Sequence, residues 1–209
     1  MTGRLAMLAP FGIRPKGTLG QRMLPLAREL AQRDWQCTIV APAYTYPADA
    51  GRVEMIENVR VEHVRLPVVP GPAHAVETSL HMLRAVLAVK PHVVHVFKPK
   101  GYSGLAALML HLLYPHMACV QDTDDWEGWG GWNELLPYPA PMKHFFAWQE
   151  RTLPRLADAV TVASRTLQTQ VWGFGVEQAR VVYLPNGVEQ KRRLLPPKAV
   201  ARARLGVPD

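Results

Sequence analysis

The chain has 209 residues, 48% of them hydrophobic and 20% charged, a globular composition that excludes an intrinsically disordered chain. Its 24 Lys and Arg against 17 Asp and Glu give a net charge of +7, which suits phosphorylated sugars, an anionic membrane surface, nucleic acid or simply a basic surface. Cys37 and Cys119 have neither disulfide-framework nor zinc-ligand spacing, no signal-peptide pattern opens the chain, and the longest apolar run, 105–114, is broken by His111 and is short of the ~20 residues that span a bilayer; a reducing, cytoplasmic setting is expected.

In chain order, the apolar run 5–9 reads as a first strand, followed by a Gly- and Pro-containing loop over 10–20. Met23, Leu24, Ala27, Leu30 and Ala31 predict a helix over 21–33, with Pro25 tolerated only in its first turn. Residues 37–41 predict a second strand, and 59–66 another whose alternation slips at His63. Val76, Leu80, Leu83 and Leu87 align on a helix over 75–89. The continuous apolar run 93–97 fits a strand covered on both faces. A helix over 101–113, a short strand over 118–121 and a helix over 140–156, mostly up to Pro154, follow. Strands at 159–163 and 180–184 enclose a helix over 165–172, for which Ser164 is the natural N-cap.

Strands alternating with helices predict an α/β fold, a Rossmann-like doubly wound, mostly parallel sheet with helices on both faces. After the Pro-Asn-Gly turn at 185–187 the chain passes through KRR at 191–193 and two prolines, then resumes as a helix former over 198–205. This divides it into a domain over 1–188 and, over 189–209, a linker with the start of a second domain; a free tail is the other reading.

In an open α/β sheet, ligands bind beyond the carboxyl ends of the strands, so function is sought in the loops leaving each strand. Gly17 and Thr18 precede a helix start, where glycine permits close approach and unpaired N–H groups favour a phosphate; a plain turn fits as well. Lys98 and Lys100 follow the 93–97 strand and read as a positive rim or a solvated loop. The loop 121–133 is chemically the richest, with Asp122, Asp124, Asp125 and Glu127 among Trp126, Trp129 and Trp132. Carboxylates at a strand end orient or deprotonate hydroxyls, or hold a divalent cation where they converge. The tryptophans offer flat faces to sugar rings or serve as core. The eight histidines show no HExxH spacing, and no GxSxG elbow is present, which argues against nucleophilic hydrolase chemistry.

Taken in order, these pieces resemble the N-terminal domain of family-4, retaining glycosyltransferases of GT-B fold, over roughly residues 4–190. The opening strand, loop and helix are similar to that family's glycine loop. KPHVVH at 90–95 is similar to its KPDVVH segment, with His92 in place of Asp. LADAV at 156–160 with Ser164 is similar to ADAVI..S, VVYLPNGV at 181–188 to V.V.PNGV, and RARLGVP at 202–208 to the R..LGLP segment that opens the second domain.

The resemblance implies transfer of a sugar from a nucleotide-sugar donor to an acceptor hydroxyl, with retention and with neither metal nor cofactor required. It implies that the first domain binds mainly the acceptor and a second domain the donor. Asp124 and Asp125 stand where many members carry a His-Asp pair and become the catalytic candidates, although an aspartate cannot donate as a neutral imidazole does. The acceptor- and phosphate-binding set is then Gly17, Thr18, Lys98, Lys100, Asp122, Trp126 and Trp129. Expected partners are a nucleotide-sugar donor held by a second domain or partner chain, a sugar or lipid-linked acceptor and an anionic membrane surface, not nucleic acid. Alone, the chain is expected to be inactive; the alternative is a non-catalytic acceptor- or membrane-binding subunit of a two-polypeptide transferase.

Overall fold

A computed structural model describes residues 3–14, 19–187 and 196–207. The first half contains β1 (Gly3–Leu8), α1 (Leu24–Ala31), β2 (Trp35–Pro42), β3 (Val53–Ile56), β4 (Val59–Val64) and α2 (Ala73–Ala88). The second contains β5 (Val93–Phe97), α3 (Gly101–Leu113), β6 (Ala118–Thr123), α4 (Trp132–Leu135), α5 (Ala140–Leu156), β7 (Ala159–Val162), α6 (Arg165–Gly173), β8 (Val181–Tyr183) and α7 (Lys198–Leu205). The eight strands form one sheet in the order β3-β4-β2-β1-β5-β6-β7-β8. Every pairing is parallel except β3 with β4.

This is the expected doubly wound, mostly parallel sheet flanked by helices. One face carries Ala6, Leu8, Val94, Val96 and Cys119 under α2, α3 and Leu153 of α5. Leu5, Met7, Cys37 and Ile39 on the other face pack against Met23, Ala27 and their neighbours at α1. A third cluster joins Val160 and Val162 of β7 to Leu167 and Val171 of α6. Both cysteines are buried and free. Ser164 caps α6 as expected, its Oγ accepting from the Leu167 N–H at 3.1 Å.

Several elements differ from the sequence expectation, among them the short helix α4, which lies in what the sequence reads as a loop. The hairpin strand β3 was not foreseen; it is short and half exposed, and Glu57 and Asn58 both take positive φ in its turn, the geometry of a two-residue hairpin. The first helix begins with a π-turn at Leu19–Met23 and runs regularly only over Leu24–Ala31, with Pro25 in its first turn. Helix α5 continues past Pro154 to Leu156. Proline removes the bond to the carbonyl four residues back, yet Leu153 and Pro154 are both buried, and that packing holds the last turn in place.

Candidate functional site

The sheet order reverses between β1 and β5, because chain order runs outward through β2 on one side and through β6 on the other. Crevices at such switch points, beyond the carboxyl ends of the strands, are where open α/β sheets bind ligands. Lys98 follows β5 there, in the left-handed region at φ +50, a conformation uncommon outside glycine. Its N–H donates to the Asp122 carbonyl at 3.0 Å, and its own carbonyl accepts from Ser103 Oγ at 2.7 Å. These bonds point the side chain into the loop after β6.

Lys98 Nζ lies 2.7 Å from Asp125 Oδ2, 3.0 Å from Glu127 Oε1 and 3.4 Å from Asp124 Oδ1. Burial alone would lower the Lys98 pKa, but the carboxylates of Asp124, Glu127 and Asp125 outweigh it and raise it. Lys100 Nζ binds Glu127 Oε2 at 2.6 Å. The two lysines therefore do not form an open positive rim: each ammonium is held by carboxylates of the acidic loop, and Lys98 is itself buried. Asp124 is nearly enclosed, and burial, ahead of the opposing attraction of Lys98, pushes its carboxyl up. Asp125 is half exposed, with 49% of its side chain open to solvent.

Asp122 stands apart from this group. It is completely buried and bound through both oxygens by Arg22, with Thr161 Oγ1 donating to Oδ2 as well. It organises the strand ends and is closed to a ligand. Trp126 turns inward, its Nε1 donating to the Trp129 carbonyl and its ring 5.6 Å from Phe174. The glycines of this loop allow it: a Cβ at Gly128 would stand 2.3 Å from the Trp126 ring, and one at Gly131 2.3 Å from the Trp126 carbonyl oxygen. Trp129 is exposed, edge-on to His144 at 5.1 Å. Gly17 and Thr18 lie outside the described residues.

Two participants were not singled out from the sequence. Gln149 of α5 clamps the lysine loop, its Oε1 accepting from the Gly101 N–H at 2.8 Å. Glu150, one residue on, is fully buried with no hydrogen bond to either oxygen. Burial first, then the neighbouring Glu127, pushes its carboxyl far above the usual range, against the pull of Lys100 and Lys98. Helical spacing marks these two as inward-facing, but their partners are dozens of residues away. The described residues hold no group of three or more His, Cys, Asp or Glu able to bind a metal. A hollow of about 230 Å³ on the α1 face is walled mainly by Leu5, Leu26, Leu30, Trp35, Val93 and Val120, with His95 and Leu184 completing it, and none of the acidic-loop carboxylates lines it.

A family model described as a glycosyl transferase 4-like domain matches residues 17–187. The chain is similar to sucrose-phosphate synthase from Thermosynechococcus elongatus, with a TM-score of 0.69 and 19% identity over 99% of this chain and 53% of that one. It is also similar to Anabaena Alr3699/HepE, solved in complex with UDP and glucose, with a TM-score of 0.62 and 12% identity over 97% and 50% of the two chains. For the UDP-GlcNAc 2-epimerase of Methanocaldococcus jannaschii the values are 0.57 and 14%, over 88% and 45%. At these identities the likeness is one of fold, and the chain spans about half the length of each of these structures. No curated protein matches it.

Proposed function

Because the chain belongs to the glycosyl transferase 4-like domain family, we propose that it forms the acceptor-side half of an enzyme moving a sugar from a nucleotide-sugar donor to an acceptor hydroxyl. The observation that carries this reading is the trio Asp124, Asp125 and Glu127 gathered around Lys98 at the switch point of the sheet. Asp125, paired with Lys98 yet open to solvent, accepts a hydrogen bond from the acceptor hydroxyl and orients its oxygen. Asp124, whose carboxyl is pushed up by burial, is suited to hold a proton beside it. Positioned acid–base groups of this kind are typically worth ~100- to 10,000-fold in rate.

In this reading residues 1–188 are the acceptor domain, residues 189–209 lead into a donor-binding half, and activity requires that half on the same polypeptide or on a partner, since both reactants must be held together. The exposed Trp132, Leu135, Met142, Phe145 and Trp148 of α4 and α5, together with the basic net charge, support peripheral contact with an anionic membrane. No described helix is long and apolar enough to cross one. The test is a transfer assay with labelled nucleotide sugars. The 209-residue chain alone should give no product, and the chain combined with a donor-binding half should give one. Robust turnover by the isolated chain, free of contaminating enzyme, would overturn the half-molecule reading.

A further inference from the structure

We infer that Tyr44, His74, Tyr102 and Tyr138 frame a stacking subsite for an uncharged sugar ring, next to the Asp124–Asp125–Glu127 cluster. The inference rests on the acceptor-side reading and names the chemical class of its ligand.

Four separate segments bring these rings to the carboxyl edge of the sheet. Tyr44 follows β2, His74 opens α2, Tyr102 opens α3 and Tyr138 precedes α5. The Tyr44 and Tyr102 rings are 5.1 Å apart and tilted by 59°, and His74 stands 6.1 Å from Tyr102. The Tyr138 ring lies 4.9 Å from Lys100 Nζ, the ammonium that holds Glu127. The Tyr44 phenol is pushed up first by burial and then by Tyr102, Tyr138 and Glu127, and Lys100, lying over the Tyr138 ring and bonded to Glu127, joins the aromatic group to the acidic cluster.

The hydrogen-bonding capacity of this surface is largely unused. Among the described residues the Tyr44 hydroxyl has only a long contact, 3.5 Å, to the Pro10 carbonyl. The Tyr102 and Tyr138 hydroxyls have no hydrogen-bond partner among the described residues. Asp124 Oδ1, on a side chain only 8% exposed, has no hydrogen bond, only the 3.4 Å ion pair with Lys98 Nζ. Buried polar atoms in native folds are normally hydrogen-bonded. Flat aromatic faces with a few unpaired polar groups form the kind of lining that takes an amphipathic ligand. A sugar ring presents C–H faces to the tyrosines and hydroxyl donors to the carboxylates.

The charge selects against a phosphorylated ligand. Lys98 and Lys100 face three carboxylates at hydrogen-bonding or ion-pair distance, which leaves no cation of the cluster for a phosphoryl group. An added anion would meet like charge there. Trp126 of the acidic loop is less suited to stacking, because Gly128 and Gly131 pack closely against it.

The experiment is saturation-transfer NMR on the 209-residue chain. Its probes are the methyl glycosides of glucose, mannose, galactose and N-acetylglucosamine, with glucose 6-phosphate and mannose 6-phosphate as charged counterparts. At least one methyl glycoside should bind saturably and more tightly than either phosphate. Tyr44→Ala and Tyr102→Ala should each weaken it by about three- to tenfold, at unchanged near-UV circular dichroism, while Tyr102→Phe retains most of the affinity. Equal or tighter binding of the phosphates, or no saturable binding of any glycoside, overturns the inference. Glycoside binding that survives both alanine variants but is lost in Asp124→Asn overturns the stacking subsite and leaves the acceptor-side reading standing. Binding that survives all three overturns both.

Discussion

Arg22 and Asp122 meet in a bidentate pair, Nε to Oδ1 at 2.8 Å and Nη2 to Oδ2 at 2.6 Å, with both side chains shut off from solvent. The remaining donor of the same guanidinium, Nη1, reaches the Leu184 carbonyl at 3.1 Å and Asn186 Oδ1 at 2.8 Å. One side chain thus ties the segment after β1 to the end of β6 and to the chain beyond β8. Removing either partner leaves an uncompensated buried charge, which typically costs about 3–5 kcal/mol. Arg22→Ala and Asp122→Ala should each lower stability by that amount in urea unfolding, and Arg22→Met combined with Asp122→Leu should recover much of it. Losses no larger than those of an exposed ion pair would show that the pair is dispensable.

How much of this was legible in the sequence depends on the range of the interaction. The strand at Val93–Phe97, the helix at Gly101–Leu113 and the Ser164 cap are local patterns, and each stands within a residue or two of where periodicity put it. Asp122, Asp124 and Asp125 look alike in sequence, but strand register separates them: Asp122 is still paired within β6 and faces Arg22, whereas Asp124 and Asp125 lie beyond the strand end and meet Lys98. Lys98 and Lys100 read as a positive rim or a solvated loop because their acidic partners are 27 residues or so away. The β3 hairpin was missed because its strand is short and half exposed, with no run of core residues to announce it.

The glycines of the acidic loop give a steric prediction. Alanine at Gly128 would press on the Trp126 ring, and alanine at Gly131 on the Trp126 carbonyl. Overpacking of this kind typically costs about 1–3 kcal/mol. Gly128→Ala and Gly131→Ala should lower the melting temperature, whereas Gly130→Ala meets no atom within 4 Å and suffers only from its positive φ of 77. Equal effects at all three positions would refute the packing account.

Two buried groups should shape the pH dependence of stability with opposite signs. His95 donates through Nε2 to Thr161 Oγ1, whose own proton goes to Asp122. Burial lowers the His95 pKa from 6.5 to about 4. The unfolded chain therefore binds the extra proton between those values, and stability falls as pH falls from 6.5 toward 4, by on the order of 3 kcal/mol. Glu150 works the other way. Its folded pKa lies well above 4.5, so the folded state keeps a proton the unfolded chain releases, and stability is lost as pH rises above 4.5. His95→Gln should flatten the acid limb. Glu150→Gln should stabilise the protein at neutral pH, with a benefit that shrinks toward pH 4. Denaturant midpoints measured across pH 4–8 for both variants check the two signs.

Helix α5 presents Met142, Phe145 and Trp148 to solvent, with Phe145 and Trp148 stacked at 5.9 Å and 18°. If this face and the basic charge meet an anionic bilayer, the protein should sediment with anionic vesicles, each nearby Lys or Arg contributing about 1 kcal/mol, and binding should fade with salt. Phe145→Glu and Trp148→Glu should reduce the bound fraction without unfolding the chain. Equal recovery on neutral and anionic vesicles would refute the electrostatic part.

The acidic loop itself decides whether the site is catalytic or merely structural. Asp125 is exposed and held at 2.7 Å by Lys98, whereas Asp124 is nearly enclosed. In the proposed reading, with the chain combined with a donor-binding half, Asp125→Ala should lower turnover by ~100- to 10,000-fold at a smaller cost in melting temperature than Asp124→Ala, because its side chain is half open to solvent and buried Lys98 keeps Asp124 and Glu127. Asp124→Ala should affect both quantities, since it also removes a counter-charge from buried Lys98. Lys98→Met separates the contributions further: it frees all three carboxylates from their shared ammonium, so their mutual repulsion should loosen the loop and lower both turnover and stability. Should Asp125→Ala instead lower the melting temperature while turnover per folded molecule stays nearly constant, the residue is a loop anchor, and the hydroxyl-orienting role passes to Asp124 or is lost.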